Sequence, residues 1–452
     1  MAIPSYKVLI VGGGIAGLSA AIDLSLKGHS ITVLERTPTI QSIGGGMLIP
    51  PQACKVIDSW GCIDRFLKID AIRDKLVIYR YADGSVIGSN NFGWQKDVYG
   101  YPSLNIQRED YQRLLYDRAL ELGVNVKFGC KVDNIDQAAP SITLADGEVL
   151  SADLIIGADG VRSKIRTTVL GQVVEPMVSD DAYICQVSGD LMRSDPLTAQ
   201  IMAQPDPHGW LAPGRHAVAS AMRWGAGYGI ILIIDKDYDR HPAIPAGARD
   251  WQTRGPIKEL REMYQDHEPR VRRILDMVEE DDCRLWRISM LPDLKTWVSE
   301  SGKVVLLGDA VHAMHPYLAQ GAAMATEDAA TVSECLSRAT SPSQIPLAMK
   351  AYEAIRKPRA EKLKAASEFS GKEKHYPDGE KQRKRDELML KGAGTQANIP
   401  KKGEKNMHPS FFIHGFDVRG HANTELDRIF GEGGIATLSN GVHEPLTEGM
   451  IV

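Results

Sequence analysis

Residues 8–11 are an unbroken apolar run that passes straight into glycines, and residues 15–26 follow with apolar positions at helical spacing. A second short apolar run occupies residues 31–34. Continuous apolar runs bounded by turn residues mark strands buried on both faces, so this opening predicts a parallel βαβ unit. Residues 108–122 predict an amphipathic helix, and residues 124–128 another strand. From about residue 182 to residue 234 the texture changes. Runs such as 182–187 and 228–234 mix alternation with aromatics and predict strands of a separate sheet. Residues 256–278 predict a helix. Residues 304–307 return to the buried-strand pattern and lead into a small-residue helix over 321–336 and a charged helix over 347–373. Beyond Lys374 the chain turns polar. Its basic clusters, Lys381 to Arg385 and Lys401-Lys402, predict a solvated tail or loop, and the apolar island from Phe411 to Phe416 a segment that docks back on the body.

Composition narrows this picture only a little. The 452 residues point to roughly two or three domains. Apolar content of 43% and charged content of 25% suit an ordinary globular protein, and a net charge of -5 gives no reason to expect a nucleic-acid partner. The six cysteines form neither a C-x-x-C pair nor a metal-ligand spacing, so no metal site is expected. No segment reads as a signal peptide or a membrane span, and the expected setting is intracellular, in the cytoplasm.

The chemistry begins at Gly12, Gly14 and Gly17, a G-x-G-x-x-G between predicted strand and helix. The first glycine permits the tight turn, the second lets backbone approach a pyrophosphate, and the third permits close helix–strand packing. The helix N-terminus supplies amide donors and a favourable dipole. Glu35 ends the next strand, where a ribose-binding acid is expected. These features call for a dinucleotide without separating FAD from NAD.

Two further segments separate them. Asp153-Leu154-Ile155-Ile156-Gly157-Ala158-Asp159-Gly160, with Ser163 and Arg166, resembles the D-x-x-I-G-A-D-G-x-x-S-x-x-R segment of flavoprotein hydroxylases. Gly308-Asp309-Ala310-Val311-His312, continuing through Pro316, Gln320-Gly321 and Glu327-Asp328-Ala329, resembles their G-D-A-x-H…P…Q-G…E-D-A segment. With the glycine turn, these motifs span most of the chain in the right order. The chain resembles the para-hydroxybenzoate hydroxylase superfamily, and residues 316–322 look most like its salicylate-hydroxylase-like branch, the type found in fungal secondary metabolism.

The resemblance implies an α/β fold, α+β overall: a Rossmann-type FAD-binding domain with an inserted, mainly antiparallel sheet as substrate domain and a C-terminal extension. The expected divisions are 1–175, with strands near 75–105 lent to the substrate sheet, then 176–290, 291–373 and 374–452. It also implies cofactor contacts at Gly12, Gly14, Gly17, Glu35, Asp159, Asp309, Gly321 and Ala322. Gly45 and Gly46 match the turn beside the isoalloxazine, with Pro50-Pro51 following. Arg108 matches an arginine reaching the FAD phosphate or ribityl, and Val132 a residue whose backbone meets adenine. Arg36 stands beside the ribose acid, as cofactor contact or solvated charge. NAD(P)H and O2 are co-substrates, and a second dinucleotide fingerprint is neither expected nor found. His312 reads as a packing and hydrogen-bonding residue of its motif, and no catalytic acid or base is assigned.

The pattern breaks where fungal relatives carry Ala-Tyr-Arg, because this chain has Ala182-Tyr183-Ile184. Their tyrosine before a proline is replaced by Ser220-Ala221. With both polar anchors gone, the expected substrate is a neutral, bulky aromatic of phenolic or indole type, hydroxylated or epoxidised. Ile184, Gln186, Ser220 and Pro316 are the pocket candidates. Gln186 shares a strand face with Ile184 and reads equally as a substrate contact or an exposed amide. Arg193, His208, His216 and Arg223 are further polar residues, read first as structural. Two alternatives stay open: a salicylate-like, decarboxylating hydroxylase, and a flavin-binding regulatory module without oxygenase activity.

Overall fold

The structure, a computed structural model, describes residues 4–40, 44–69, 74–204, 206–244, 248, 253–392 and 409–431. In chain order its strands are β1 (Lys7–Val11), β2 (Ser30–Leu34), β3 (Gly46–Ile49), β4 (Lys75–Arg80), β5 (Val86–Asn91), β6 (Leu104–Gln107), β7 (Asn125–Lys127), β8 (Val132–Asp136), β9 (Ser141–Leu144), β10 (Val149–Ser151), β11 (Leu154–Gly157), β12 (Met177–Ser188), β13 (His208–Ala212), β14 (Arg215–Met222), β15 (Gly227–Asp235), β16 (Cys283–Met290) and β17 (Val304–Leu306).

The apolar runs become a five-stranded parallel sheet in the order β17-β11-β1-β2-β7. Val8, Leu9 and Ile10 are buried on both faces, as their unbroken run requires. The helix Ile15–Leu26 packs against the helix Gly321–Leu336. Both bury alanines, among them Ala20, Ala21, Ala329 and Ala330, and small side chains let the backbones come close. A three-stranded sheet, β10-β9-β8, and a two-stranded ribbon, β3-β6, complete this half.

The second half is a seven-stranded sheet, β16-β12-β15-β14-β13-β4-β5, antiparallel except where β13 meets β4. Tyr183, Cys185 and Val187 on one face join Ile230, Leu232 and Ile234 in a core closed by Leu260, Val271 and Ile274. The other face presents Ala182 and Ile184 and turns toward the glycine-rich half. Of the strands expected near 75–105, β4 and β5 lie in this sheet, whereas β6 pairs with β3.

Two expectations need correction. Residues 256–278 are not one helix but two, Ile257–Met263 and Pro269–Asp276. Pro269 starts the second, and Glu268 caps it by accepting from the Arg270 amide at 2.9 Å. The basic cluster from Lys381 to Arg385 is not a solvated tail. It lies in the helix Glu380–Gly392, where Gln382 and Arg385 are buried and Arg385 donates to the Glu373 carbonyl at 2.6 Å. Met389 packs with Leu76, Ile78 and Leu211 and covers the β5 end of the sheet. Amphipathicity carried by so few apolar residues is masked by the charges around them. The pair Lys401-Lys402 lies outside the described residues. In the apolar island, Phe412 accepts at its carbonyl from Arg359, whose guanidinium lies 3.9 Å from the Phe416 ring centre. Among the described residues no helix is long and apolar enough to cross a membrane.

Candidate functional site

At the glycine turn, Gly12 has φ +110°, and a Cβ there would lie 2.3 Å from the Ala158 carbonyl oxygen. A Cβ on Gly17 would lie 1.9 Å from the Gly12 oxygen. Neither position admits a side chain. A Cβ added at Gly14 would meet nothing within 4 Å, and Gly14 begins a helix that no side chain caps, so the first-turn amides remain available to an anion. Glu35 accepts from the Gly13 amide at 2.7 Å and the Thr37 amide at 2.8 Å, which ties the acid to the loop. Arg36 beside it is exposed, and Val132 is buried at the start of β8. The Cys130 amide donates to the Glu35 carbonyl at 2.9 Å, so the turn before β8 adjoins the same corner.

The second half of the site comes from the far end of the chain. Gly308, at φ +59°, would place a Cβ 2.7 Å from the Ala16 Cβ, so it sits directly on the start of the first helix. This holds the exposed Asp309 beside the glycine turn. Arg108 is near enough for the Asp309 charge to act on it; burial lowers the Arg108 pKa, and Asp309 opposes that shift. Beneath lies a sealed ion network. Asp328 accepts from the Gly308 amide at 3.0 Å, from His312 Nε2 at 2.6 Å and from Arg356 at 2.9 Å. Glu327 binds Arg356 and Arg359, each at 2.7 Å. Burial pushes the Asp328 carboxyl up, but the His312 and Arg356 charges prevail and hold it down at about 2. His312 is therefore a partner of Asp328.

Asp159 is a junction of the scaffold. Its carboxylate accepts from the Ser163 hydroxyl at 2.5 Å and the Lys164 amide at 2.8 Å, at the start of the helix Ile165–Leu170. Arg166 from that helix donates to the Ala310 carbonyl at 3.1 Å, linking the second motif to the third.

Around the two glycines of the ribbon, apolar and polar groups separate. A Cβ on Gly45 would lie 3.1 Å from Ile231 and 3.3 Å from Ile184, whereas Gly46 is nearest to Asn105, Gln107 and Ser220. Asn105 donates to the Ser220 hydroxyl at 3.2 Å. Gln186 is exposed and stands on the Ile184 face. Pro316 opens a short turn, Pro316–Leu318, and Ala319 follows at φ +53°. Gly321 and Ala322 begin the helix Gly321–Leu336, which also lacks a side-chain cap. Tyr317 ties this turn to the sheet by donating to Asp180, whose carboxyl burial pushes up to about 6. The remaining polar candidates lie elsewhere. Arg193 pairs with Asp190, and Arg223 with Asp110 and Glu109. His208 is stacked on Tyr79, its pKa lowered by burial to about 4. His216 meets His375 at 2.7 Å within the protein. Asn105 and Gln107 were missed from sequence, although Gln107 immediately precedes Arg108.

A glycine turn built from both ends of a chain and facing a sheet across a glycine ribbon is the arrangement of a dinucleotide-binding enzyme. The chain matches the FAD binding domain family over residues 5–236 and 259–367 and belongs to it, within the para-hydroxybenzoate hydroxylase type. It is 34% identical over 389 residues to the FAD-dependent monooxygenase OpS4 of Beauveria bassiana, covering 84% of this chain and 88% of that one. It is 32% identical over 383 residues to hispidin-3-hydroxylase of Neonothopanus nambi, covering 80% and 88%. CtdE, crystallised with FAD and substrate, shares the fold at a TM-score of 0.78 with 24% identity, over 94% of this chain and 98% of that one. The protein is an FAD-dependent aromatic monooxygenase of the kind used in secondary metabolism, with NAD(P)H implied as reductant by the family.

Proposed function

We propose that this enzyme hydroxylates or epoxidises a bulky aromatic of phenolic or indole type that is neutral in solution. The observation that carries this reading is the contact of Ile184 and Ile231 with Gly45, an apolar wall where an arginine-bearing relative has a cation. In this arrangement the glycine turn and the first-turn amides hold the FAD pyrophosphate. Glu35, Arg36 and the Val132 backbone meet the adenosine, and Arg108 and Asp309 meet the ribityl chain. Gly45, Gly46, Pro316, Gly321 and Ala322 border the isoalloxazine. Asp159 acts through the turn it caps. Bound FAD supplies the redox chemistry, accepting hydride from NAD(P)H and activating O2. The residues of this chain bind, orient and exclude water. With FAD bound, the N-terminal dipole of the helix Gly321–Leu336 would favour the negative charge that reduction brings.

The test is mass spectrometry of products from a panel of phenols, indoles and salicylate in labelled O2, with NAD(P)H oxidation followed in parallel. Labelled products from the phenols or indoles are expected. Efficient turnover of salicylate alone would replace this reading with the phenol-acid hydroxylase, and no substrate-dependent oxidation with any of them would favour a binding module.

The ribityl assignment has its own expected result. Asp309 is exposed, and no hydrogen bond among the described residues occupies its carboxylate, so Asp309→Ala leaves the fold unchanged. Losing a charged acceptor costs about 1.5–3 kcal/mol of FAD binding. Titration of FAD into apo protein reads this directly, and equal affinity with equal reduction rates in both proteins removes Asp309 from the site.

A further inference from the structure

Register across the seven-stranded sheet places a single row of residues on the face that meets the glycine ribbon. Arg284 of β16 stands directly opposite Ile184 of β12. Ile184 stands opposite Ile231, Ile231 opposite Val218, Val218 opposite Gly209 and Gly209 opposite Ile78. Directly opposed residues project from the same face, with Cβ atoms about 4.5–5.5 Å apart in the antiparallel pairs from β16 to β13. The row is therefore apolar along its length and carries one cation at its β16 end. At its other end Ile78 is covered by Met389.

Arg284 is half-buried, and among the described residues no carboxylate or carbonyl holds its guanidinium. Its neighbours in this domain differ: Arg215 binds Asp266, Arg270 binds Glu268, Arg273 binds Asp195 and Arg287 binds Asp181. Arg254, which bridges to Arg284 on the outer side, binds Asp281. A half-buried guanidinium with no protein acceptor is free to donate to an anionic oxygen placed beside it. An aromatic ring lying along Ile184 and Ile231 would bring a substituent on its edge within reach of this group.

We propose that Arg284 is a specificity-determining residue of the site, occupying the adjacent strand where relatives place an arginine at the Ile184 position, and that it selects aromatics carrying an ionisable hydroxyl, a phenol or an enol, bound as the oxyanion. This rests on the substrate site placed above and narrows it, since a bare indole lacks the oxygen. The loss of a proton from a neutral phenol on binding also reconciles an apolar wall with a nearby cation.

The test uses FAD-loaded wild type, Arg284→Gln and Arg284→Lys, with ligand binding followed by perturbation of the flavin absorbance. The probes are hispidin and the matched pair 2-naphthol and 2-methoxynaphthalene, whose methyl group removes the ionisable proton. Wild type should prefer 2-naphthol to its ether and bind hispidin. Arg284→Gln should weaken both hydroxylated probes by about tenfold to a hundredfold and leave the ether unchanged, and Arg284→Lys should restore part of the preference. The assignment is overturned if Arg284→Gln keeps the wild-type preference, if it weakens the ether equally, or if wild type binds the pair equally or not at all. Oxygenated product is measured on the same samples. Tight phenol binding without product would defeat the proposed reaction and leave Arg284 in place.

Discussion

Replacing Arg356 with alanine is expected to destabilise the protein by about 3–5 kcal/mol, because it leaves two buried carboxylates short of a cation. Glu327 and Asp328 are fully buried, and Arg356 bridges them. The damage should reach the cofactor, since Asp328 also holds the Gly308 amide that sets Asp309 in place. Urea unfolding and FAD titration read the two effects separately, and a stability change below about 1 kcal/mol would show the network to be dispensable. The pH dependence has a definite sign. Asp328 titrates at about 2 against a usual 3.8. Its contribution is thus complete above the usual value and is lost as pH falls toward 2. Without Arg356 the folded value rises, so acid unfolding should begin at a higher pH in the variant.

Gly17→Ala should lose FAD by the most local route available. The added Cβ would lie 1.9 Å from the Gly12 oxygen, so the turn must open. Overpacking of this kind costs about 1–3 kcal/mol, and carried wholly by the bound conformation it weakens FAD roughly tenfold to a hundredfold. Gly14→Ala is the informative control. No protein atom lies within 4 Å of its Cβ, so the apo fold should melt as wild type does while FAD binding falls. If Gly14→Ala binds FAD normally, the pyrophosphate does not approach this backbone; if Gly17→Ala does, the close packing of strand and helix is not required.

The glycine turn and the parallel strands were legible because each rests on local signals: an unbroken apolar run, a glycine that must turn, a helix of small residues. The helix Gly321–Leu336 was read with its full bounds for the same reason. What sequence could not give was partnership. Alternation assigns Ile184 to a face, but nothing in residues 182–187 says that Arg284 stands beside it, a pairing set by a strand remote in sequence. The apolar reading of position 184 was drawn from its own strand alone, without the neighbour that β16 supplies. Asn105 and Gln107 were hidden similarly, since their relation to Gly46 depends on how the ribbon docks on β14. The helix Glu380–Gly392 was lost to its charges, and the break at Glu268-Pro269 was overlooked although proline at the start of a helix announces one.

The position of β17 has a consequence for how the protein is made. Val304 pairs with Ile155, and between them the chain builds most of another sheet. Contacts remote in sequence close slowly, because the chain between them must first be ordered. During synthesis the glycine turn is made before its neighbour Gly308, which packs against Ala16 and arrives only after β12 to β16 have been made. Flavin capture is thereby a late event of maturation. A cell short of flavin would accumulate an apo chain lacking the stabilisation that a bound ligand confers and exposed to chaperones and proteases in proportion.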